Sequence, residues 1–198
     1  MPHRPIYVEI TIAASMDRVW QLTQDPELHT RWDLRFSSIV PSDRLPSGAQ
    51  RFRYERRMPG HTISGTGVSI GERVRPDGTR TSALRFTTTD RLSPLRDGRG
   101  YWRYEPTDRG IRFITGYDYQ PGWGRAADLI VRPVIGWMTA WSFDALRLWA
   151  EHDIDPRRHR PWAFWRRDRP RASRCGREPR RRNAMDASPA TLDTLEAP

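Results

Sequence analysis

The sequence predicts a single α+β domain in which an antiparallel meander of strands is crossed by one long helix. Residues 126–153, AADLIVRPVIGWMTAWSFDALRLWAEHD, form the longest apolar segment and repeat at helical spacing. Residues 36–119 instead alternate apolar and polar side chains at every second position, between turns rich in Gly, Pro and Asp. Strands that follow one another through short turns pair antiparallel, because parallel pairing needs a long crossover.

In chain order, Ile6, Val8, Ile10 and Ile12 alternate with Tyr7, Glu9 and Thr11, the mark of a strand with one buried face. Ser15 caps a helix over residues 16–24 through Val19, Trp20 and Leu22. Asp25-Pro26, a capping side chain followed by proline at the first helical position, starts a second helix over residues 26–32. Six strands follow. Phe52 and Tyr54 alternate with Arg51, Arg53 and Glu55 before the Pro59-Gly60 turn, and Val68 and Ile70 lie on a glycine-rich strand. Pro76-Asp77-Gly78 turns the chain into the strand of Leu84 and Phe86, and residues 91–99 read as loop. Trp102 and Tyr104 alternate with Arg103 and Glu105. After a turn at residues 107–110, Ile111, Phe113, Thr115, Tyr117 and Tyr119 alternate along the last strand.

At ~100° per residue, Ile130, Val134, Trp137, Met138, Trp141, Ala145, Leu148 and Trp149 fall within one arc of roughly 120°. This stripe is expected to face the sheet. Arg132, Thr139 and Arg147 are expected on the solvent side, with Phe143 as the misfit. Pro133 costs a helix about 3 kcal/mol and Gly136 roughly 1 kcal/mol. Burying one Trp at ~25 cal/mol/Å² offsets this with about 4 to 6 kcal/mol gross, so the reading is one helix kinked near Pro133. Arg132, Asp144 and Arg147 interrupt the segment, which argues against a membrane span.

The 198 residues include 34 Arg and no Lys, a bias that coding preference explains as readily as function. Residues 1–154 hold 22 Arg against 18 acidic residues, and residues 155–198 hold 12 against 6, so the net charge of +10 is weighted toward the tail. Domain boundaries are therefore placed at 1–154 for the folded unit and 155–198 for an Arg/Pro-rich tail expected to be disordered. The single cysteine, Cys175, excludes an intrachain disulfide. The chain enters its first strand without the apolar run of a signal peptide, so a cytoplasmic location is expected, peripheral to a membrane if the tail reaches one.

The opening YVEITIAASMDRVWQLTQDPELHTRWD, the segment GYWRYEPTDRGIRFITGYDYQPGWG and the long final helix together resemble the START-like, or SRPBCC, superfamily. The likeness is to its polyketide cyclase/dehydrase and lipid-transport branch, and it spans residues 5–153. It implies a helix-grip fold, a curved sheet wrapped around the last helix with an apolar cavity between them. It also implies binding of a lipid, isoprenoid or polyketide-like molecule as carrier or sensor. The alternative it offers is a cyclase or aromatase using the same cavity.

By strand parity, Phe52, Tyr54, Phe86, Trp102, Tyr104, Phe113, Tyr117 and Tyr119 point inward, joined by Trp137, Met138 and Trp141 from the helix. These rings either fill the core or line a ligand site, and the two readings are compatible. Arg56 shares the parity of Phe52 and Tyr54 and is a candidate receptor for a carboxylate or phosphate, the bland reading being a solvated strand end. His61 and Tyr54 are the candidate acid/base pair of a cyclase. The five His show no metal-ligand spacing, and nucleotide and nucleophile motifs are absent, so neither metal nor cofactor is expected. In the tail, the aromatics Trp162, Phe164 and Trp165 beside Arg166 and Arg167 suit contact with an anionic membrane. Nucleic acid is the weaker reading, lacking any readout motif, and the bland one is a solvated extension.

Overall fold

The computed structural model describes residues 4–72, 75–158, 175–177 and 184–198. Its elements are β1 (Ile6–Ile12), α1 (Met16–Gln24), α2 (Pro26–Trp32), β2 (Ser38–Arg44), β3 (Gln50–Met58) and β4 (His61–Glu72). They continue with β5 (Arg80–Thr87), β6 (Leu95–Thr107), β7 (Gly110–Pro121), α3 (Gly124–His152) and a short α4 (Thr191–Thr194). One antiparallel sheet has the order β1-β7-β6-β5-β4-β3-β2. β1 closes the far edge by pairing with β7, Ile6 opposite Tyr117 and Ile12 opposite Ile111. With α3 laid against the inner face, this is the helix-grip architecture. β6 begins at Leu95, so the second half of the stretch read as loop is strand, paired through Gly98 opposite Phe86.

The two short helices start where their caps place them. Ser15 Oγ accepts from the Arg18 N–H at 3.2 Å, and Asp25 Oδ1 accepts from the Glu27 and Leu28 N–H groups at 2.9 and 3.3 Å. Together with β1, β7 and α3 they enclose one apolar core that includes Val8, Ile12, Leu22, Trp32, Phe113, Phe143 and Leu146.

Trp141, Ala145 and Trp149 of the expected stripe are buried, but the first half of α3 is rolled differently and corrects the expectation there. Leu129, Ile130, Val134 and Trp137 are 77%, 72%, 50% and 39% exposed, whereas Thr139, Phe143 and Leu146 are sealed. Polar matching explains the choice. On the sheet side, Asp128 accepts from the Tyr119 hydroxyl at 2.7 Å and from Arg132 Nε at 2.8 Å, and Thr139 and Tyr117 share a hydrogen bond of 2.8 Å. The helix runs unbroken through Pro133, whose carbonyl accepts from Arg177 at 3.1 Å.

The tail also departs from expectation over two stretches. Residues 175–177 lie along the free edge of β1, where Glu9 and Gly176 exchange backbone hydrogen bonds of 2.8 and 2.9 Å. Residues 184–198 cross the outer face of the sheet. There the Tyr101 hydroxyl donates to the Ala184 carbonyl, Arg85 donates to the Leu195 carbonyl, and Leu192 and Leu195 pack on Ala49, Val68 and Ala83. A few apolar residues suffice because the sheet already presents an apolar patch to receive them. The aromatic-Arg run at residues 162–167 lies outside the described residues.

Candidate functional site

β3 turns Phe52, Tyr54 and Arg56 toward α3, and β4 supplies glycine opposite the rings, Gly65 across from Tyr54 and Gly67 across from Phe52. A Cβ at Gly65 would overlap the Tyr54 ring, and one at Gly98 would overlap Phe86. Absence of those side chains lets the two rings lie flat across neighbouring strands instead of standing up into the interior.

The inward rings divide into two sets. Tyr104, Phe113, Tyr117 and Tyr119 are buried and committed. The hydroxyl of Tyr104 bonds Thr23 and Gln24, at 2.8 and 2.9 Å, Tyr117 bonds Thr139 and Tyr119 bonds Asp128. Phe36, Phe86 and Trp102 retain partial access, with Phe52 and Tyr54 each 8% exposed between strands. Tyr54 meets Phe36 and Phe86 edge-on at 5.7 and 6.4 Å, and His29 bridges Phe36 to Trp102 at 5.2 and 5.0 Å. Phe36, Phe86 and Trp102, with the buried Phe52 and Tyr54 beside them on β3, are the candidate binding surface.

Its charges come mainly from the loop after α2. Asp33, buried at the end of α2, accepts from Arg35 through both oxygens, at 2.9 and 2.6 Å, and bonds His29 Nε2 at 3.0 Å. Burial opposes ionisation of Asp33, but Arg35 and the hydrogen bonds from His29 and Arg35 outweigh it and hold the carboxyl well below its usual range. Burial likewise pushes the Tyr54 hydroxyl up to about 12. Arg35 is spent on Asp33 and lies 5.3 Å from the centre of the Tyr117 ring. Arg56 is different. It is half-buried, burial lowers its affinity for the proton with only Asp33 acting against this, and it makes no hydrogen bond or ion pair among the described residues.

Three expected site residues fall elsewhere. Trp137 is on the solvent side of α3. Trp141 is buried but lies outside the main core, against Trp137 at 5.4 Å. His61 sits at the β3–β4 turn opposite Met58, bonded to Asp90 at 2.8 Å, while Tyr54 lies opposite Gly65 and donates to the Thr87 carbonyl at 3.3 Å. Four strand residues, roughly 13 Å, separate those two registers, so His61 and Tyr54 do not form an acid/base pair. Met138 is half-buried. The Asp33-Arg35-His29 cluster and Phe36 escaped sequence reading, because opposite charges two residues apart beyond a helix end carry no pattern. No group of His, Cys, Asp or Glu able to hold a metal occurs among the described residues.

A family model described as "Polyketide cyclase / dehydrase and lipid transport" matches residues 4–149. The chain is 44% identical over 164 residues to "Uncharacterized membrane protein YndG" of Bacillus subtilis (strain 168), a match covering 80% of this chain and 61% of that relative. Among solved structures, the di-domain ARO/CYC StfQ from the steffimycin biosynthetic pathway is similar with a TM-score of 0.57 at 15% identity, over 74% of this chain and 50% of that one. The Zhui aromatase/cyclase from Streptomyces sp. R1128 gives 0.52 at 14% identity, over 76% and 97%. The STAR-related lipid transfer protein from Xanthomonas axonopodis gives 0.51 at 16%, over 70% and 81%. At these identities the solved structures speak to the fold.

Proposed function

Because the chain belongs to the polyketide cyclase / dehydrase and lipid transport family, we propose that it binds an apolar small molecule with an anionic head, as a carrier or sensor. The apolar part lies against Phe36, Tyr54, Phe86 and Trp102, and the head meets Arg56. The observation that carries this reading is Arg56 itself, an inward, half-buried guanidinium with no bonded partner among the described residues. A desolvated charge is retained at a cost unless an anion offsets it, and a planar guanidinium suits carboxylate or phosphate. The names of the lipid-transfer and aromatase/cyclase neighbours are compatible with a lipid-like or polyketide-like ligand. The cyclase alternative has lost its His61–Tyr54 pair.

The test compares a long-chain fatty acid with the corresponding fatty alcohol. A charge-assisted hydrogen bond contributes about 1.5 to 3 kcal/mol, so the acid should bind roughly 10- to 100-fold more tightly. Arg56→Met should abolish that preference while leaving alcohol binding and melting close to wild type. Equal binding of acid and alcohol by the wild type would overturn the role of Arg56.

A further inference from the structure

The first half of α3 carries an apolar face that nothing among the described residues covers. Leu129 and Ile130 are 77% and 72% exposed, and Val134 and Trp137 continue the face at 50% and 39%. The face extends beyond the helix. Trp123, just before it, is 53% exposed, and Leu92 at 55% sits on the loop that the Gly122 N–H ties through the Pro94 carbonyl at 2.8 Å.

Its exposed charge is basic, since Asp90 on the same loop is held by His61 at 2.8 Å. Arg91 beside Leu92 and Arg125 in the first turn of α3 are both exposed, and the one carboxylate between residues 124 and 138, Asp128, is 2% exposed and bonded to Tyr119 and Arg132. A second copy docked face to face would bring like charges together at its rim. An anionic bilayer accepts both features, apolar side chains at the acyl boundary, Trp at the headgroups and Arg at the phosphates. No helix among the described residues is long and apolar enough to cross a membrane, so the contact is peripheral.

We propose that the exposed face of α3, centred on Ile130 and Val134, is a docking surface for an anionic phospholipid bilayer. This stands independently of the proposed interior ligand, since the ring contact of Trp137 is with Trp141 and not with the accessible rings.

The experiment is co-sedimentation of the full chain with phosphatidylcholine vesicles, with and without phosphatidylglycerol. The wild type should partition onto the anionic vesicles and retain part of that binding in high salt, the part owed to the apolar face. Ile130→Glu with Val134→Glu should lower partition roughly tenfold or more with melting preserved, and the gentler Ile130→Ser should move it the same way. Trp162→Ala with Trp165→Ala should leave it within about twofold. The proposal is overturned if the wild type fails to partition or if the α3 variants partition like the wild type. It is also overturned if only the Trp162/Trp165 variant loses binding, or if the glutamates dissolve a dimer without changing vesicle binding.

Discussion

Asp33 governs the charge of the interior. An unfolded Asp titrates at about 3.9, and in the fold its carboxyl is held well below that range against the opposing effect of burial. The depressed value means that Asp33 contributes stability above the unfolded value and that this contribution is lost as pH falls toward the folded one. Asp33→Asn should cost about 3 kcal/mol at neutral pH, since the half-buried Arg35 is left without its counter-charge. It should also flatten the acid limb of a stability-pH curve, which urea titrations across that range would measure. An unchanged acid limb would mean that the pair is not formed. Parity alone identified Arg56, because period-2 alternation says which side of the sheet a residue takes. Asp33 and Arg35 were not legible, since their meeting depends on how the loop after α2 folds back under α3.

At the scale of elements, α3 shows what periodicity can and cannot decide. Its span was legible, and so was the buried side of its second half, where Trp141, Ala145 and Trp149 of the stripe are buried, but the roll of its first half was not, because that half is apolar on two faces. Phe143, the misfit of that stripe, is sealed in the core and stacked on Phe113 at 4.5 Å. Phe143→Ala should therefore cost about 3 to 5 kcal/mol and Trp137→Ala less than about 1. Thermal or urea melts of the two variants would check this, and the reverse order would restore the original orientation. The tail obeys the same logic. Leu192→Ala should cost about 2 to 5 kcal/mol although it lies beyond the expected domain boundary, because it fills a patch between Ala49, Val68 and Ala83. A change within experimental error would indicate that residues 184–198 do not pack. Cys175, whose thiol donates to the Ala140 carbonyl at 3.1 Å and is pushed up to about 12 by burial, offers a second probe. Its alkylation should proceed only as fast as residues 175–177 leave the β1 edge.

For the whole molecule, the order of strand, two short helices, meander and long helix was legible because each element is signalled locally by caps, turns and alternation. The candidate site was legible as a surface of rings and not as a chemistry, because rings that fill a core and rings that would face a ligand follow the same alternation. What separates them is exposure, which Phe36, Phe86 and Trp102 retain in part and Tyr104, Phe113, Tyr117 and Tyr119 do not, together with the state of Arg56. The hydroxyls of Tyr104, Tyr117 and Tyr119 are engaged within the fold, as is that of Tyr54 on the Thr87 carbonyl, whereas the Arg56 side chain has no hydrogen bond or ion pair among the described residues. Arg56 is therefore the residue proposed to hold the anionic head of an apolar ligand. Native mass spectrometry of the freshly purified full chain, with the released molecule identified after denaturation, tests it most directly. A co-purified apolar acid or phosphate is expected at near-equal stoichiometry in the wild type, and its loss in Arg56→Met. A neutral ligand, or the same acid retained undiminished by Arg56→Met, would contradict it.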